Sequence, residues 1–393
     1  MGFENFGLDK RLVSGLRSAG YTRPTPVQEK VVPAVLAGRD VLAAARTGTG
    51  KTAAFVLPVL QRLLDADAGK RGPVRVLVLA PTRELALQIH ETFFTLGRQT
   101  GIRCAAVYGG AGISPQARDV KKSAIVTACP GRLLDLMARD EIDLSAVDIL
   151  VLDEADRMLD MGFRDEVRRI LDQLPEERMT LLFSATLPDG VAELAGLVLA
   201  DPEFIRVDAA PVAEGVEHMC CPVPLHLKQR LLKFLLRELD FESVLVFVRT
   251  KRWARRLAQR LSKWGFRAAD LHGDLSQSKR NRALDGFKSG EFNILVATDL
   301  AARGIDCSGI SHVINYDMPD SVEIYIHRIG RTGRAGRSGS ACLLCAPEER
   351  ERLVEIEESL GYSLPLYNID SFNYDAPPSI EPESETKFCF NKK

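Results

Sequence analysis

The sequence lacks the features that mark several large classes of protein. No apolar run is long enough to span a bilayer, and residues 1–10 are polar and carry no signal sequence. Although Gly2 follows Met1, Phe6 stands where the myristoylation pattern needs Ser or Thr. The charges nearly cancel, with 52 Lys and Arg against 53 Asp and Glu. We therefore expect a cytoplasmic protein in which local basic patches hold any polyanionic partner.

The eight cysteines are scattered along the chain, and their spacing does not predict a metal site. Only Cys342 and Cys345 have CxxC spacing, and no second Cys or His pair lies near them to complete a zinc site. The alternation of a β-strand explains this pair better, with the thiols as small core residues. We expect neither disulfides nor a structural metal. The eight cysteines are Cys104, Cys129, Cys220, Cys221, Cys307, Cys342, Cys345 and Cys389.

Short runs of Val, Ile and Leu alternate along the chain with longer helical patterns. This alternation predicts parallel strands joined by crossover helices, and 393 residues suit two such α/β domains in tandem. Strands are predicted at 40–44, 74–79, 102–107, 124–128, 149–152, 180–183 and 204–207, and then at 244–248, 268–271, 293–297, 312–315 and 341–344. Three prolines and a glycine interrupt the pattern between Asp208 and Pro224. We therefore predict domains at 1–207 and 225–366, a linker at 208–224 and a disordered tail at 367–393.

Three carboxylates follow the apolar run that ends at Leu152. Asp153, Glu154 and Asp156 repel one another unless a cation sits among them, so the segment suggests a metal-bound polyphosphate site. A strand that leads into a helix with an acidic first turn would give the same pattern.

The segment from Ala45 to Thr52 favours the first interpretation. It reads as a strand, a Gly-rich turn and a helix start, which together let backbone N–H groups surround phosphate oxygens. Lys51 would reach the outer phosphates, and Thr52 would bind magnesium. Ala45 stands where the usual pattern has Gly, and an ordinary Gly-rich turn with an exposed lysine remains the alternative.

A basic segment from His327 to Arg337 lies in the second predicted domain. Five cationic side chains interspersed with glycines are poorly explained as packing, although a solvated basic loop remains possible. Because the first domain offers no obvious arginine near Lys51, an arginine from this segment could stabilise the transferring phosphoryl group. ATP would then bind between the two domains.

Several segments together resemble a known family. Residues 153–156 read DEAD, and around them stand ARTGTGKT (45–52), PTRELA (81–86), SAT (184–186), ATDLAARGID (297–306) and HRIGRTGR (327–334). The chain resembles the DEAD-box ATP-dependent RNA helicases of the compact bacterial kind from Phe3 to about Pro347. The resemblance implies two RecA-like domains that bind ATP and RNA across a shared cleft. It also implies local opening of short RNA duplexes, little sequence preference and possible ribonucleoprotein partners.

The resemblance implies a role for each matching residue. Lys51, Glu154, Arg331 and Arg334 are the expected catalytic residues, with Glu154 acting on the attacking water. Thr52 and Asp153 would bind Mg²⁺, and Asp156, Ser184, Thr186 and His327 would couple hydrolysis to RNA. The ATP contacts are expected at Phe3, Tyr21, Gln28, Thr47, Gly48, Thr49, Gly50, Lys51, Thr52, Gly304 and Asp306. The RNA contacts are expected at Pro81, Thr82, Arg83, Gly109, Gly110, Pro130, Gly131, Arg132, Arg249, Thr250, Gly273, Arg280 and Thr298.

Two of these segments, around Gln28 and at Cys129, differ from a simple match to the family pattern. Thr25, Pro26 and Gln28 fit a helix start with a capping box, which explains them without a ligand. They also resemble the family's Q motif, in which the glutamine amide pairs with adenine and Tyr21 or Phe3 could pack on the base. Cys129 stands where the family usually has the Thr of TPGR, so one phosphate contact would be weakened.

Two other functional classes share much of this pattern. A DNA translocase of the wider helicase superfamily would have the phosphate loop and the arginine, but the Q motif, DEAD and SAT together favour RNA. An ATP-gated RNA clamp or scaffold with little unwinding would use the same residues, with slow product release.

Overall fold

The computed structural model describes residues 2–45, 49–66, 73–207, 216–302, 309–333 and 338–377. These residues form two compact units, one within 2–207 and the other within 216–377. Each unit is a parallel sheet flanked by helices, as predicted. In the described ranges, no helix combines the length and the apolar character that crossing a bilayer requires.

The first unit contains a seven-stranded sheet in the order β3-β4-β2-β5-β6-β1-β7, and every neighbouring pair is parallel. Apolar clusters cover both faces of the sheet, which explains why its central strands read as continuous Val, Ile and Leu runs. The strands are β1 Val41–Ala44, β2 Val76–Leu79, β3 Cys104–Val107, β4 Ile125–Ala128, β5 Ile149–Leu152, β6 Met179–Ser184 and β7 Glu203–Arg206. The helices are α1 Lys10–Ser18, α2 Pro26–Leu36, α3 Lys51–Asp65, α4 Arg83–Gly97, α5 Ile113–Val120, α6 Pro130–Met137, α7 Ala155–Asp160, α8 Arg164–Leu171 and α9 Asp189–Val198.

The second unit contains a six-stranded parallel sheet in the order β10-β11-β9-β12-β13-β8. Its strands are β8 Val216–Pro222, β9 Val244–Phe247, β10 Ala268–Leu271, β11 Ile294–Ala297, β12 His312–Asn315 and β13 Gly339–Cys345. Its helices are α10 Lys228–Glu238, α11 Lys251–Lys263, α12 Gln277–Lys288, α13 Asp299–Ala302, α14 Val322–Ile329 and α15 Arg350–Leu360.

The structure differs from the sequence prediction at the predicted linker. Strand β8 occupies residues 216–222 of that segment and pairs with β13 along seven residues. The nearby prolines suggested a break, but β8 is the last strand of the sheet and Pro222 is its last residue. A proline is tolerated at that position because an edge strand needs hydrogen bonds on one side only. Residues 208–215 lie outside the described ranges.

The predicted disordered tail is also corrected, for residues 367–377. Ile369, Phe372 and Ala376 are buried in the core of the second unit. The ring of Phe372 meets that of Phe234 edge to face, with centroids 5.3 Å apart. Residues 367–377 contain only one proline and two acidic residues, and the prediction of disorder came from the Pro-, Ser- and Glu-rich sequence that follows them. Residues 378–393 lie outside the described ranges.

Four cysteines of the second unit lie on adjacent strands. Cys220 and Cys221 belong to β8, whereas Cys342 and Cys345 belong to β13. The sulfur atoms of Cys221 and Cys342 are 3.1 Å apart, and both residues are buried as free thiols. The CxxC spacing of Cys342 and Cys345 therefore belongs to a buried strand. Cys307 and Cys389 lie outside the described residues.

Candidate active site

The carboxyl edge of the first sheet gathers most of the predicted residues. Strands β5, β6 and β1 are neighbours in the sheet, and each is followed by one of the predicted segments. The acidic run follows β5, Ser184 ends β6, and the Gly-rich turn follows β1. Parallel sheets bind ligands at this edge because loops and helix N-termini converge there.

Lys51 is the first residue of α3, and its side chain is buried with 6% of its surface exposed. Its Nζ donates to the carbonyl oxygen of Ala45 at 2.7 Å, so the lysine head group lies against the backbone that follows β1. Gly50 precedes it with a φ of 90°, in the left-handed region. A Cβ at Gly50 would lie 2.6 Å from Nε2 of Gln28, so this turn requires glycine. Thr52 follows the lysine and Thr49 precedes Gly50, whereas Thr47 and Gly48 lie outside the described residues.

Gln28 connects the start of α2 to this turn. Its Oε1 accepts from the backbone N–H of Thr25 at 3.0 Å, which is the glutamine half of the predicted capping box. Its Nε2 donates to the carbonyl oxygen of Gly50 at 3.1 Å. Both ends of the buried amide therefore bind the protein itself, and one of them binds the residue before Lys51.

The two aromatic residues proposed for the base differ in exposure. Phe3 is buried in the core of the first unit, and its ring meets the rings of Phe6 and Tyr21 edge to face. Tyr21 is only partly buried. Tyr21 is therefore the more exposed of the two rings that could contact a base, and Phe3 packs against it.

Asp153 is buried at the end of β5, and its Oδ1 accepts from the backbone N–H of Glu154 at 2.9 Å. Burial raises the pKa of Asp153 to about 6. The nearby charge of Lys51 lowers this pKa, whereas Glu154 and Asp156 raise it further. The site therefore holds a carboxylate whose negative charge is incompletely compensated by the protein.

Glu154 has a φ of 52°, which is unusual for a residue with a side chain. Its Oε2 accepts from Nη1 of the buried Arg157 at 2.9 Å. This ion pair fixes the carboxylate that was predicted to act on water. Sequence reasoning missed Arg157, although its position three residues after Glu154 on a helix start was a usable signal.

Asp156 makes its bonds within the protein. Its Oδ2 accepts from the backbone N–H groups of Ala185 and Thr186 at 3.1 and 3.0 Å, and from Oγ1 of Thr186 at 3.1 Å. The Asp156 N–H donates to Oγ of Ser184 at 3.3 Å. The hydroxyl of Ser184 donates in turn to the carbonyl oxygen of Thr186 at 2.5 Å. The structure thus joins three of the four predicted coupling residues in one network.

The fourth coupling residue, His327, belongs to α14 of the second unit and is partly exposed. Arg331 follows this helix and is buried, and its Nε donates to the His327 carbonyl oxygen at 3.3 Å. The sequence suggested that packing does not explain the cationic residues of this segment, and for Arg328 that prediction is wrong. That guanidinium is buried, binds both carboxylate oxygens of Asp299 at 2.7 and 2.8 Å, and donates to Asn315. Arg334, Gly304 and Asp306 lie outside the described residues.

The predicted RNA contacts of the first unit follow its three neighbouring strands β3, β4 and β2. They are Gly109 and Gly110 after β3, Pro130, Gly131 and Arg132 after β4, and Pro81, Thr82 and Arg83 after β2. The guanidinium of Arg83 lies 4.3 Å from the ring centroid of Tyr108. Arg132 donates to the carbonyl oxygen of Ala111 at 2.9 Å. The structure therefore brings these three segments together on one edge.

The corresponding residues of the second unit also follow neighbouring strands. Gly273 follows β10, Thr298 follows β11, and Arg249 and Thr250 follow β9. Arg280 lies on α12 and donates to the carbonyl oxygen of Ala301 at 2.9 Å. Thr250 is also a helix cap, since its Oγ1 accepts from the backbone N–H of Trp253 at 3.2 Å.

Cys129 occupies the N-cap position of α6. Thr82 caps α4 by accepting from Leu85, but the Cys129 thiol makes no such bond to its helix. Burial raises the pKa of Cys129 to about 12, so the thiol stays protonated at neutral pH. Cysteine in place of the threonine of TPGR therefore leaves α6 without a side-chain cap, independently of any effect on RNA binding.

Comparison with known proteins agrees with this geometry. The DEAD/DEAH box helicase domain matches residues 25–194, and the helicase conserved C-terminal domain matches residues 227–336. The chain is 45% identical over 362 residues to the ATP-dependent RNA helicase CshA of Listeria monocytogenes, which covers 91% of this chain and 68% of that protein. It is 40% identical over 373 residues to the DEAD-box ATP-dependent RNA helicase RhpA of Helicobacter pylori, covering 94% and 75% respectively.

The structure is also similar to that of S. cerevisiae Dbp5 bound to RNA and ADP BeF3. The TM-score is 0.83 at 31% sequence identity, and the match covers 93% of this chain and 95% of the Dbp5 chain. The same family is indicated by the two matching domains, by the relatives that match most of the chain and by the order of its motifs. The chain belongs to the DEAD-box family of ATP-dependent RNA helicases.

Proposed function

We propose that this ATP-dependent enzyme opens short RNA duplexes locally and remodels ribonucleoproteins, with ATP hydrolysis coupled to RNA binding. The observation that carries the proposal is the division of roles within the acidic run. Asp153 is buried beside Lys51, Glu154 is held by Arg157, and Asp156 binds the segment from Ser184 to Thr186. Three neighbouring carboxylates thus have three different sets of partners.

The donor set at this edge fits magnesium. Thr52 offers a hydroxyl and Asp153 a carboxylate, which are the hard oxygen ligands that Mg²⁺ prefers. Burial, and to a smaller extent the charges of Glu154 and Asp156, raise the pKa of Asp153, and a bound cation would favour its ionised form. The ion would neutralise charge on the phosphates of ATP. Asp153 would hold it through water.

The residues of the chain then act on ATP itself. Lys51 exchanges its bond with the Ala45 carbonyl for a phosphate oxygen, and the N–H groups at the start of α3 add to the binding. Glu154 orients or deprotonates the attacking water from the position that Arg157 fixes. Arg331 and Arg334 are proposed to stabilise charge on the terminal phosphate.

Adenine recognition is proposed for Gln28 with Tyr21. An amide presents a donor and an acceptor side by side, which matches the edge of adenine. Both groups of Gln28 are bonded to Thr25 and Gly50, so the base must replace at least one of these bonds. Adenine binding would thereby act on the turn that carries Lys51.

Asp156 is proposed to transmit the state of the nucleotide site. Its three bonds to residues 185–186 fix the loop after β6 to the helix that begins beside Glu154. A change at Glu154 on hydrolysis would therefore reach that loop through one carboxylate. His327 would be its counterpart in the second unit.

RNA is proposed to bind through its phosphates. The contacts would come from glycines that permit close backbone approach and from Arg and Thr donors, as in Gly109, Gly110, Arg83 and Arg132. Such contacts carry no base information, so we expect little sequence preference.

The test measures ATP hydrolysis without nucleic acid, with RNA and with DNA, followed by strand release from a short RNA duplex. Stimulation by RNA but not by DNA, with ATP-dependent release, supports the proposal. Stimulation by DNA alone indicates a DNA translocase instead. ATP-dependent RNA binding without strand release indicates the clamp.

A further inference from the structure

A groove of about 860 Å³ runs along the outer edge of β3 in the first unit. Strand β3 ends its sheet, so one side of its backbone does not pair with another strand. The groove is lined by strand residues with small side chains, among them Cys104 and Ala106, and by His90, Phe93 and Phe94 of α4. Its floor can therefore be approached closely by a flat or extended ligand.

The charged residues that line this groove are mostly cationic. Arg98, Arg103 and Lys122 are all exposed, and Asp119 is the one acidic residue in the lining. Three positive charges and one negative charge give the lining a net charge of +2, whereas the whole chain carries −1. Burial lowers the pKa of His90, so it does not add a charge at neutral pH. The groove therefore favours an anionic ligand over a neutral one.

Aromatic side chains accompany these charges. Phe94 is 57% exposed on α4, although a phenylalanine on a solvated helix face gains little from packing within its own unit. Tyr108, at the other end of the groove, lies beneath the guanidinium of Arg83. Cationic grooves with exposed aromatic rings are typical of proteins that bind single-stranded nucleic acid, because bases stack on the rings while cations hold the phosphates.

The groove begins where the proposed RNA contacts end. Tyr108, Ala111 and Gly112 line it, and they flank Gly109 and Gly110. Gln116 fixes this end: its Oε1 accepts from the Tyr108 N–H at 3.0 Å and its Nε2 donates to the Tyr108 carbonyl oxygen at 3.1 Å. The groove and the glycine pair are therefore held in one fixed arrangement.

We propose that this groove binds single-stranded RNA that continues past Gly109 and Gly110. Arg98, Arg103 and Lys122 contact successive phosphates, and a base stacks on Phe94. The inference rests on the proposed function, and it extends the RNA site beyond the residues that the family motifs supply. A protein strand added to β3 would use the backbone edge instead, and it would not need the three cations.

The test compares three RNAs and three variants. One RNA is just long enough to give full stimulation of ATP hydrolysis, and the other two extend it by about ten nucleotides, one at the 5′ end and one at the 3′ end. The groove variant carries Arg98→Gln, Arg103→Gln and Lys122→Gln. The matched control carries Arg139→Gln, Arg168→Gln and Arg169→Gln, which removes three exposed charges outside the groove.

We expect the groove variant to bind one of the longer RNAs about tenfold to a hundredfold more weakly than wild type. For that longer RNA, log affinity should also depend less steeply on log salt concentration than in wild type. The magnitude of the slope should decrease by about 2, at roughly 0.7 for each lost phosphate contact. ATP hydrolysis stimulated by the short RNA should be unchanged, and the control should match wild type. Phe94→Ala should weaken the same longer RNA by about tenfold with little change in the salt slope.

The possible failures are distinguishable. Equal affinity of wild type and groove variant for both longer RNAs, with normal stimulation by the short RNA, overturns the groove and leaves the proposed function intact. An equal loss in the control variant also overturns it, because the effect would then come from net charge alone. A wild-type protein that RNA does not stimulate overturns the proposed function itself.

Discussion

Replacing Asp153 with asparagine should stabilise the first unit while it disables the enzyme. The pKa of Asp153 is raised from its ordinary value of 3.8 to about 6 by burial. The folded state therefore holds the proton more tightly than the unfolded chain, and ionising the group above pH 6 costs stability. A difference of about 2 pKa units corresponds to roughly 3 kcal/mol.

The expected net gain for Asp153→Asn is smaller than this figure. Asparagine keeps an oxygen that can accept from the Glu154 N–H, but it places an amide group where the second carboxylate oxygen stood. An unsatisfied buried donor costs about 1 to 3 kcal/mol, so we expect a net gain of at most about 2 kcal/mol near pH 8. A gain of about 2 kcal/mol raises the unfolding temperature of a unit of this size by roughly 4 to 8 °C.

The assay is calorimetric unfolding in EDTA without nucleotide, at several pH values. The advantage of the variant should be greatest at pH 8, smaller by roughly 1.5 kcal/mol near pH 5, and replaced by a disadvantage of about 1 to 3 kcal/mol below the unfolded pKa, where only the cost of the unsatisfied amide remains. Asp119→Asn is the control, because Asp119 is exposed and should show neither effect. A stability difference between the variant and wild type that does not change between pH 8 and pH 4 would refute this account of Asp153.

Three further predictions concern single side chains. Glu154→Gln should bind ATP normally but hydrolyse it about a hundredfold or more slowly in a rapid-quench assay, since it removes a general base, and wild-type turnover would contradict that role. Gln28→Ala should raise the ATP concentration needed for half-maximal hydrolysis and reduce the preference for ATP over GTP, because it removes the amide that matches adenine and its bond to Gly50. Unchanged discrimination between ATP and GTP would contradict this role of Gln28. Cys129→Thr should raise the free energy of unfolding by about 1 kcal/mol by capping α6 and tighten RNA binding modestly, and a variant with neither gain would show that the thiol is equivalent to threonine here.

The sequence predicted the sheets well because most of their central strands are buried on both faces. Strands β5, β10 and β12 have the predicted bounds, and the others differ by one or two residues at an end. Strand β8 could not be predicted in this way, because it alternates polar and apolar residues at a sheet edge and ends in a proline. Its role depends on pairing with β13, more than a hundred residues later in the chain.

The candidate site was predictable in its residue types but not in its internal bonds. The positions of Lys51 and Asp153 follow from motifs that sit at strand ends. The engagement of Gln28 with Gly50, and that of Glu154 with Arg157, depend on how helices meet the sheet edge. Arg328 shows the same limit, since its neighbours in sequence suggested a phosphate contact while Asp299 makes it a buried structural residue.

The central claim is that the nucleotide site built on the acidic run and the RNA site are coupled. Its most direct test measures the dissociation constant of a single-stranded RNA with and without a nonhydrolysable ATP analogue and magnesium. We predict RNA affinity at least about tenfold higher with the analogue, a coupling of roughly 1.4 kcal/mol, and a large loss of that difference in Asp156→Ala. Equal RNA affinity in the wild-type protein with and without the analogue would contradict the account.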